Sequence, residues 1–177
     1  MVRTALSLLL VLVAATAPLA GQDKAPPAKV VQAAAVKEDA FDLFKSLAGE
    51  WVGKGPGDRD MNVRYKVTSG GTAVVETITP DTDHEMVTVI HRDGDDLILT
   101  HYCMLGNQPQ MKASSKADGN KVAFKFVKAT NMKSDKDFHM HDVTFTFVDK
   151  DTLKAVWTHM SDGKAGDPVV FELKRKK

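Results

Sequence analysis

Cysteine is almost missing: Cys103 is the single one in 177 residues. No intrachain disulfide can form, so core burial must hold the fold. A thiolate zinc cluster and a Cys-x-x-Cys redox pair are excluded with it. Cys103 itself is either a buried small hydrophobe or a reactive thiol. An excess of charge of one sign is also lacking. The chain has 24 Lys and Arg against 23 Asp and Glu, a net +1. Without a clustered positive field, no nucleic-acid partner is expected. The basic end Lys174-Arg175-Lys176-Lys177 is short enough to be simply solvated. There is no Gly-x-Ser-x-Gly elbow for a nucleophilic serine. Gly53, Gly55 and Gly57 do not lie between a strand and a helix, as a phosphate-binding loop requires. The carboxylate pairs Asp81 with Asp83 and Asp95 with Asp96 fall in turn sequence, where Asp is at home for backbone reasons. No catalytic residue is nominated.

A long hydrophobic run is absent too. The longest, Leu6 to Val13, is too short to span a bilayer comfortably. Arg3 precedes it and the small residues Ala14 to Ala20 follow, the three parts of a secretory signal. Residues 1–20 are therefore expected to direct the chain to the periplasm or the exterior, with no membrane association after cleavage. Pro18 is not an ideal residue at minus three, and no cysteine stands at the cleavage point for lipid attachment. Residues 21–36, with Pro26-Pro27 and Ala33-Ala34-Ala35, have no apolar periodicity and read as a linker. Residues 37–177 suffice for one domain.

What is present is one short helical pattern followed by many alternating ones. Phe41, Phe44 and Leu47 recur at helical spacing over Lys37 to Leu47, with Glu38, Asp39 and Asp42 near the start, where the dipole favours acids. Gly49-Glu50-Trp51-Val52-Gly53 then opens a series of strand patterns. A large ring needs burial, and neighbouring glycines let backbone approach it. Turn signals at Gly70-Gly71, Asp93-Gly94, Gly106-Asn107, Asp118-Gly119-Asn120, Asp149-Lys150-Asp151 and Asp162-Gly163 separate nine or ten strands. The connections are mostly too short for parallel crossovers. The expectation is an all-β, up-and-down antiparallel barrel with a short N-terminal helix, closed because closure removes the edges.

Turn chemistry also predicts register. A two-residue Gly70-Gly71 turn sets Val67 against Val74, Tyr65 against Glu76 and Val63 against Ile78. A three-residue loop at Asp149 to Asp151 sets Phe147 against Leu153, Phe145 against Ala155, Val143 against Trp157 and His141 against His159. A two-residue Asp93-Gly94 turn puts Met86 beside His101, Glu85 beside Tyr102 and His84 opposite Cys103. The inward set then predicts a cavity lined by Val63, Tyr65, Val67, Phe124, Phe126, Val143, Phe145, Phe147 and Trp157. Glu76, His101, His141 and His159 would supply polar selectivity. His139, His141 and His159 also form a candidate metal set, since alternate strand residues share a face and a neighbouring strand can add a third imidazole. The alternative is that these histidines line the barrel mouth and bind water or ligand oxygens.

The segment Phe41-Asp42-Leu43-Phe44-Lys45-Ser46-Leu47-Ala48-Gly49-Glu50-Trp51 resembles the calycin group of lipocalin-like barrels, whose first strand carries Gly-x-Trp after a short helix. The extended Gly49-x-Trp51-x-Gly53-x-Gly55-x-Gly57 is similar to the nitrobindin branch. Thr100-His101-Tyr102-Cys103-Met104-Leu105-Gly106-Asn107-Gln108-Pro109 resembles a bacterial secreted lipocalin-like family of unknown function. The resemblance implies structural roles for Gly49 and Trp51 and a barrel around a cavity for an apolar ligand or, in nitrobindins, haem. The nitrobindin haem ligand is a histidine near the chain end, and Val169 to Leu173 contains none. The expected function is a secreted or periplasmic small-molecule binding barrel. A metal- or haem-binding barrel using His139, His141 and His159 is the alternative, and no cofactor is firmly implied.

Overall fold

The computed structural model describes residues 39–177. The expected signal segment (residues 1–20), the expected linker (residues 21–36) and Lys37 and Glu38 of the expected helix lie outside the described residues. Helix α1 runs over Ala40–Ser46. Asp39 starts it: its carboxylate accepts hydrogen bonds from the backbone N–H groups of Phe41 and Asp42 at 2.9 and 3.2 Å. Such a cap contributes about 1 kcal/mol. The same carboxylate pairs with Arg92, whose guanidinium lies 5.3 Å over the Phe41 ring.

The strands are β1 (Gly49–Lys54), β2 (Asp60–Thr68), β3 (Ala73–Ile78), β4 (Met86–Asp93), β5 (Asp96–Tyr102), β6 (Gln108–Ser114), β7 (Lys121–Thr130), β8 (His139–Asp149), β9 (Thr152–Ser161), β10 (Lys164–Ala165) and β11 (Val169–Arg175). Strands β1 to β9 pair in sequence order, β9 pairs with β11, and β11 pairs back with β1. All these pairings are antiparallel, so ten strands close into a barrel; the two-residue β10 only folds back on the end of β9.

Register follows the alternation where the strands are regular. Val67 pairs with Val74, Tyr65 with Glu76 and Val63 with Ile78. Phe147 pairs with Leu153, Phe145 with Ala155 and Val143 with Trp157. Two expectations fail. Beyond Val143, a bulge makes His141 an extra residue, so Met140, not His141, stands opposite His159. A bulge puts two residues against one and reverses the parity beyond it. At the β4–β5 turn, Gly94, with φ of 59°, takes the first of the two turn positions instead of the second. The pairing slides by two residues, and His101 faces Thr88, not Met86.

One end of the interior is filled by aromatic rings. Phe44 of α1 packs edge-on against Phe124, Phe145 and Phe147, with centroids 5.1–5.8 Å apart. Trp51 is fully buried, and its Nε1 donates to the Leu47 carbonyl at 2.7 Å. The Arg175 guanidinium lies 4.4 Å over the Trp51 ring and donates to the carbonyls of Ser46 and Ala48 at 2.8 and 2.9 Å. The open carbonyls at the C-terminus of α1 are thus satisfied by side chains from both ends of the domain. Gly53 has a specific reason: a Cβ there would stand 2.0 Å from the Glu172 backbone oxygen, so β1 and β11 meet closely only because it has none.

Candidate functional site

The opposite end of the barrel is not filled. A cavity of about 490 Å³ opens there. Gly55, Pro56 and Arg59, before β2, and Asp60 at its start form one lip. Thr79, Thr82 and His84, between β3 and β4, form another. Met61, Ile78, Met86, Met140, Val169 and Phe171 line the walls, and Cys103 and Met104 border the β5–β6 turn. His101 and Trp157 complete the lining. Four methionines, Met61, Met86, Met104 and Met140, make the lining apolar and adaptable, since a thioether chain is unbranched and fills irregular space.

His101 is the buried polar residue of that lining. It ends a row set by register: Tyr65 pairs with Glu76, Glu76 with Thr88, and Thr88 with His101 across β2, β3, β4 and β5. All four are nearly fully buried. The Tyr65 hydroxyl donates to Glu76 Oε1 at 2.5 Å. Thr88 Oγ1 lies 3.0 Å from His101 Nδ1. The His101 ring packs 5.1 Å from that of Trp157. Burial raises the Glu76 carboxyl above its usual range, with Tyr65 and Thr88 pulling the other way. Burial, and then the Glu76 charge, pushes the Tyr65 phenol well up. Burial lowers His101 to about 4, so its ring is neutral at neutral pH. Two buried atoms here have no hydrogen-bond partner: Glu76 Oε2 and Trp157 Nε1.

Of the ten residues nominated for ligand binding, His101 and Trp157 line the cavity. Tyr65, Glu76, Phe124, Val143 and Phe145 are sealed in the packed interior, and Val63, also expected on the cavity wall, is fully buried with them. Phe126 stacks on His141 at 4.4 Å and lies 4.9 Å from His139, away from the cavity lining. His141 Nδ1 lies 3.2 Å from His139 Nε2, while His139 Nδ1 is engaged by the Asp137 carbonyl at 2.8 Å. Burial lowers the His141 pKa. His159 stands apart, stacked on Phe138 at 4.7 Å. Among the described residues, no three His, Cys, Asp or Glu side chains gather as a metal set, so the three histidines are divided between two places.

Haem, which the nitrobindin resemblance implies, would need a histidine free to reach its iron. Strand β11 carries no histidine. The His159 ring is roofed by Gly166, where a Cβ would fall 2.0 Å from its Nε2, and its Nδ1 is sealed. These residues do not fit that ligation.

The methionines of the lining are not among the residues that the alternation predicts for the cavity. Met140 reaches the cavity because the bulge at His141, which cannot be read from alternation, reverses the parity beyond it. Met61 carried a usable signal, two residues before Val63 on the same strand face.

No protein-family model matches the chain, and no curated protein does. Among solved structures, the crystal structure of Rv2717c from M. tuberculosis is similar, with a TM-score of 0.57 at 15% identity. The match covers 78% of this chain and 98% of that one. This is a likeness of fold alone.

Proposed function

We propose that the protein is a binding module for a small apolar or amphipathic ligand, directed to the periplasm or exterior by residues 1–20. One observation carries this reading: the barrel is plugged by aromatic rings at one end and hollow at the other, over about 490 Å³ with a methionine-rich wall. That volume lies within the range of about 300–1,000 Å³ usual for small-ligand pockets. Burial of the ligand's apolar surface, about 25 cal/mol per Å² before the costs of binding, would drive association. The Gly49-x-Trp51 opening supports a place near the nitrobindin-like calycins, but the proposal does not extend to haem.

Trp157 reports on the cavity directly, because its ring forms part of the lining. Titration with fatty acids and other long-chain lipids should change its fluorescence saturably, and Met86→Trp should block the change by filling the space. Unchanged fluorescence across the whole panel would count decisively against a binding role. N-terminal sequencing of protein recovered from its own host tests the export signal.

A further inference from the structure

The Tyr65–Glu76–Thr88–His101 row has a direction that the cavity inherits. Tyr65 donates to Glu76 Oε1, which leaves Oε2 as the buried atom without a partner. Thr88 is the cross-strand neighbour of both Glu76 and His101. Its one hydroxyl hydrogen can point to only one of them. If Glu76 is ionised, the carboxylate takes that hydrogen. Nδ1 of His101 must then carry its own proton, and Nε2 is a bare lone pair. If Glu76 is protonated, Oε2–H donates to Thr88, Thr88 donates to Nδ1, and the ring proton sits on Nε2.

The surroundings favour the second arrangement. Glu76 is 1% exposed, and no lysine or arginine among the described residues acts on it. An unpaired buried carboxylate is costly, whereas the neutral acid gives its orphan oxygen a use. The charged groups of the cavity, Arg59 and Asp60, are exposed, as is the titratable His84. His101 Nδ1 is committed to Thr88, and Nε2 is not among the sealed atoms without a partner. Trp157, against the His101 ring, holds a second N–H with no acceptor. His101 Nε2 is thus the polar atom of this row left toward an otherwise apolar space.

We propose that Tyr65, Glu76, Thr88 and His101 form a neutral, one-way hydrogen-bond chain that presents an Nε2–H donor, so the cavity selects apolar molecules with a carbonyl head. A ketone, ester or amide satisfies the donor; an alkane leaves it unpaired, and an amine offers it nothing better while carrying a charge into the cavity. The ligand class rests on the binding role proposed above.

The tautomer is readable without any ligand, from ring nitrogen–proton correlation spectra of His101 at neutral pH. The expected result is the Nε2–H form. Glu76→Gln should keep it, since a carboxamide accepts from Tyr65 and donates to Thr88 as the neutral acid does. Thr88→Val should lose the preference, and Thr88→Ser, which restores the hydroxyl, should regain it. The companion measurement compares a long-chain methyl ketone, the matching alkane and the matching primary amine. The ketone should bind about fivefold or more tightly than either, the yield of one hydrogen bond. That margin should fall to about one in Thr88→Val, with alkane binding unchanged. An Nδ1–H ring, a reversal on Glu76→Gln, or a preference for the amine overturns the chain. An Nε2–H ring with no probe bound leaves the chain standing and overturns the cavity's role, and the ligand class with it.

Discussion

The two ends of the barrel are built from the same alternating strands but filled in opposite ways. At the α1 end, Phe44, Phe124, Phe145 and Phe147 pack edge to face, and Arg175 ties Trp51 to the carbonyls that end the helix. At the other end, methionines border open space, and buried polar atoms wait for partners. Rings at close centroid distances have few alternative arrangements, whereas thioether chains have many. The first end therefore carries stability and the second adaptability. The row Tyr65–Glu76–Thr88–His101 lies between them, polar yet sealed from one side.

The most severe way to break this contrast is Trp51→Ala. It removes a fully buried ring, its bond to Leu47 and the platform for Arg175. A loss of about 3–5 kcal/mol is expected by chemical denaturation. A loss near 1 kcal/mol would mean that the plugged end is not the stable one.

Acidification should act next, through His101. Its folded pKa of about 4 lies below the ordinary 6.5. The unfolded chain then binds the proton first, so this contribution is present above pH 6.5 and lost as pH falls toward 4. The loss should approach about 3 kcal/mol, and His101→Phe should flatten it. Glu76 works in the opposite sense. Its raised pKa makes a contribution that is complete below the ordinary 4.5 and declines as pH rises through the folded value, so Glu76→Gln should remove that decline. Denaturation midpoints across the pH range, for wild type and both variants, separate the two.

Met86→Ala sharpens the comparison from the hollow side. Met86 is only partly buried and borders open space, so about 1 kcal/mol of stability is at stake, but ligand affinity should change more than stability does. At the bottom of the scale, Lys154→Ala breaks an ion pair with Glu172 whose partners are both exposed, and denaturation should show no measurable change.

Much of the barrel was legible before its structure. Val63, Tyr65 and Val67 alternate strictly, and a glycine pair in the turn sets their partners; the observed loop is longer, yet the pairing is the same. Phe145 and Phe147 repeat this on β8. The candidate site was harder. The inward residues expected to line a cavity, such as Phe124 and Val143, are where the core is full. Alternation tells which face is inside, not how much of the inside is occupied. The sharpest sequence candidate, three clustered histidines, depended on parity running unbroken past Val143, and a single extra residue at His141 divided them.

The chain's own alternation, turn glycines and short connections were sufficient to dictate a closed antiparallel barrel, because a strand's side-chain period is local and edges are costly wherever they occur. Which end is packed and which is hollow was decided in three dimensions. That outcome depends on where α1 docks, where a bulge reverses parity and how far a turn slides its strands. Each of these is settled by contacts between residues far apart in sequence, as with Arg175 on Trp51 and His101 on Trp157.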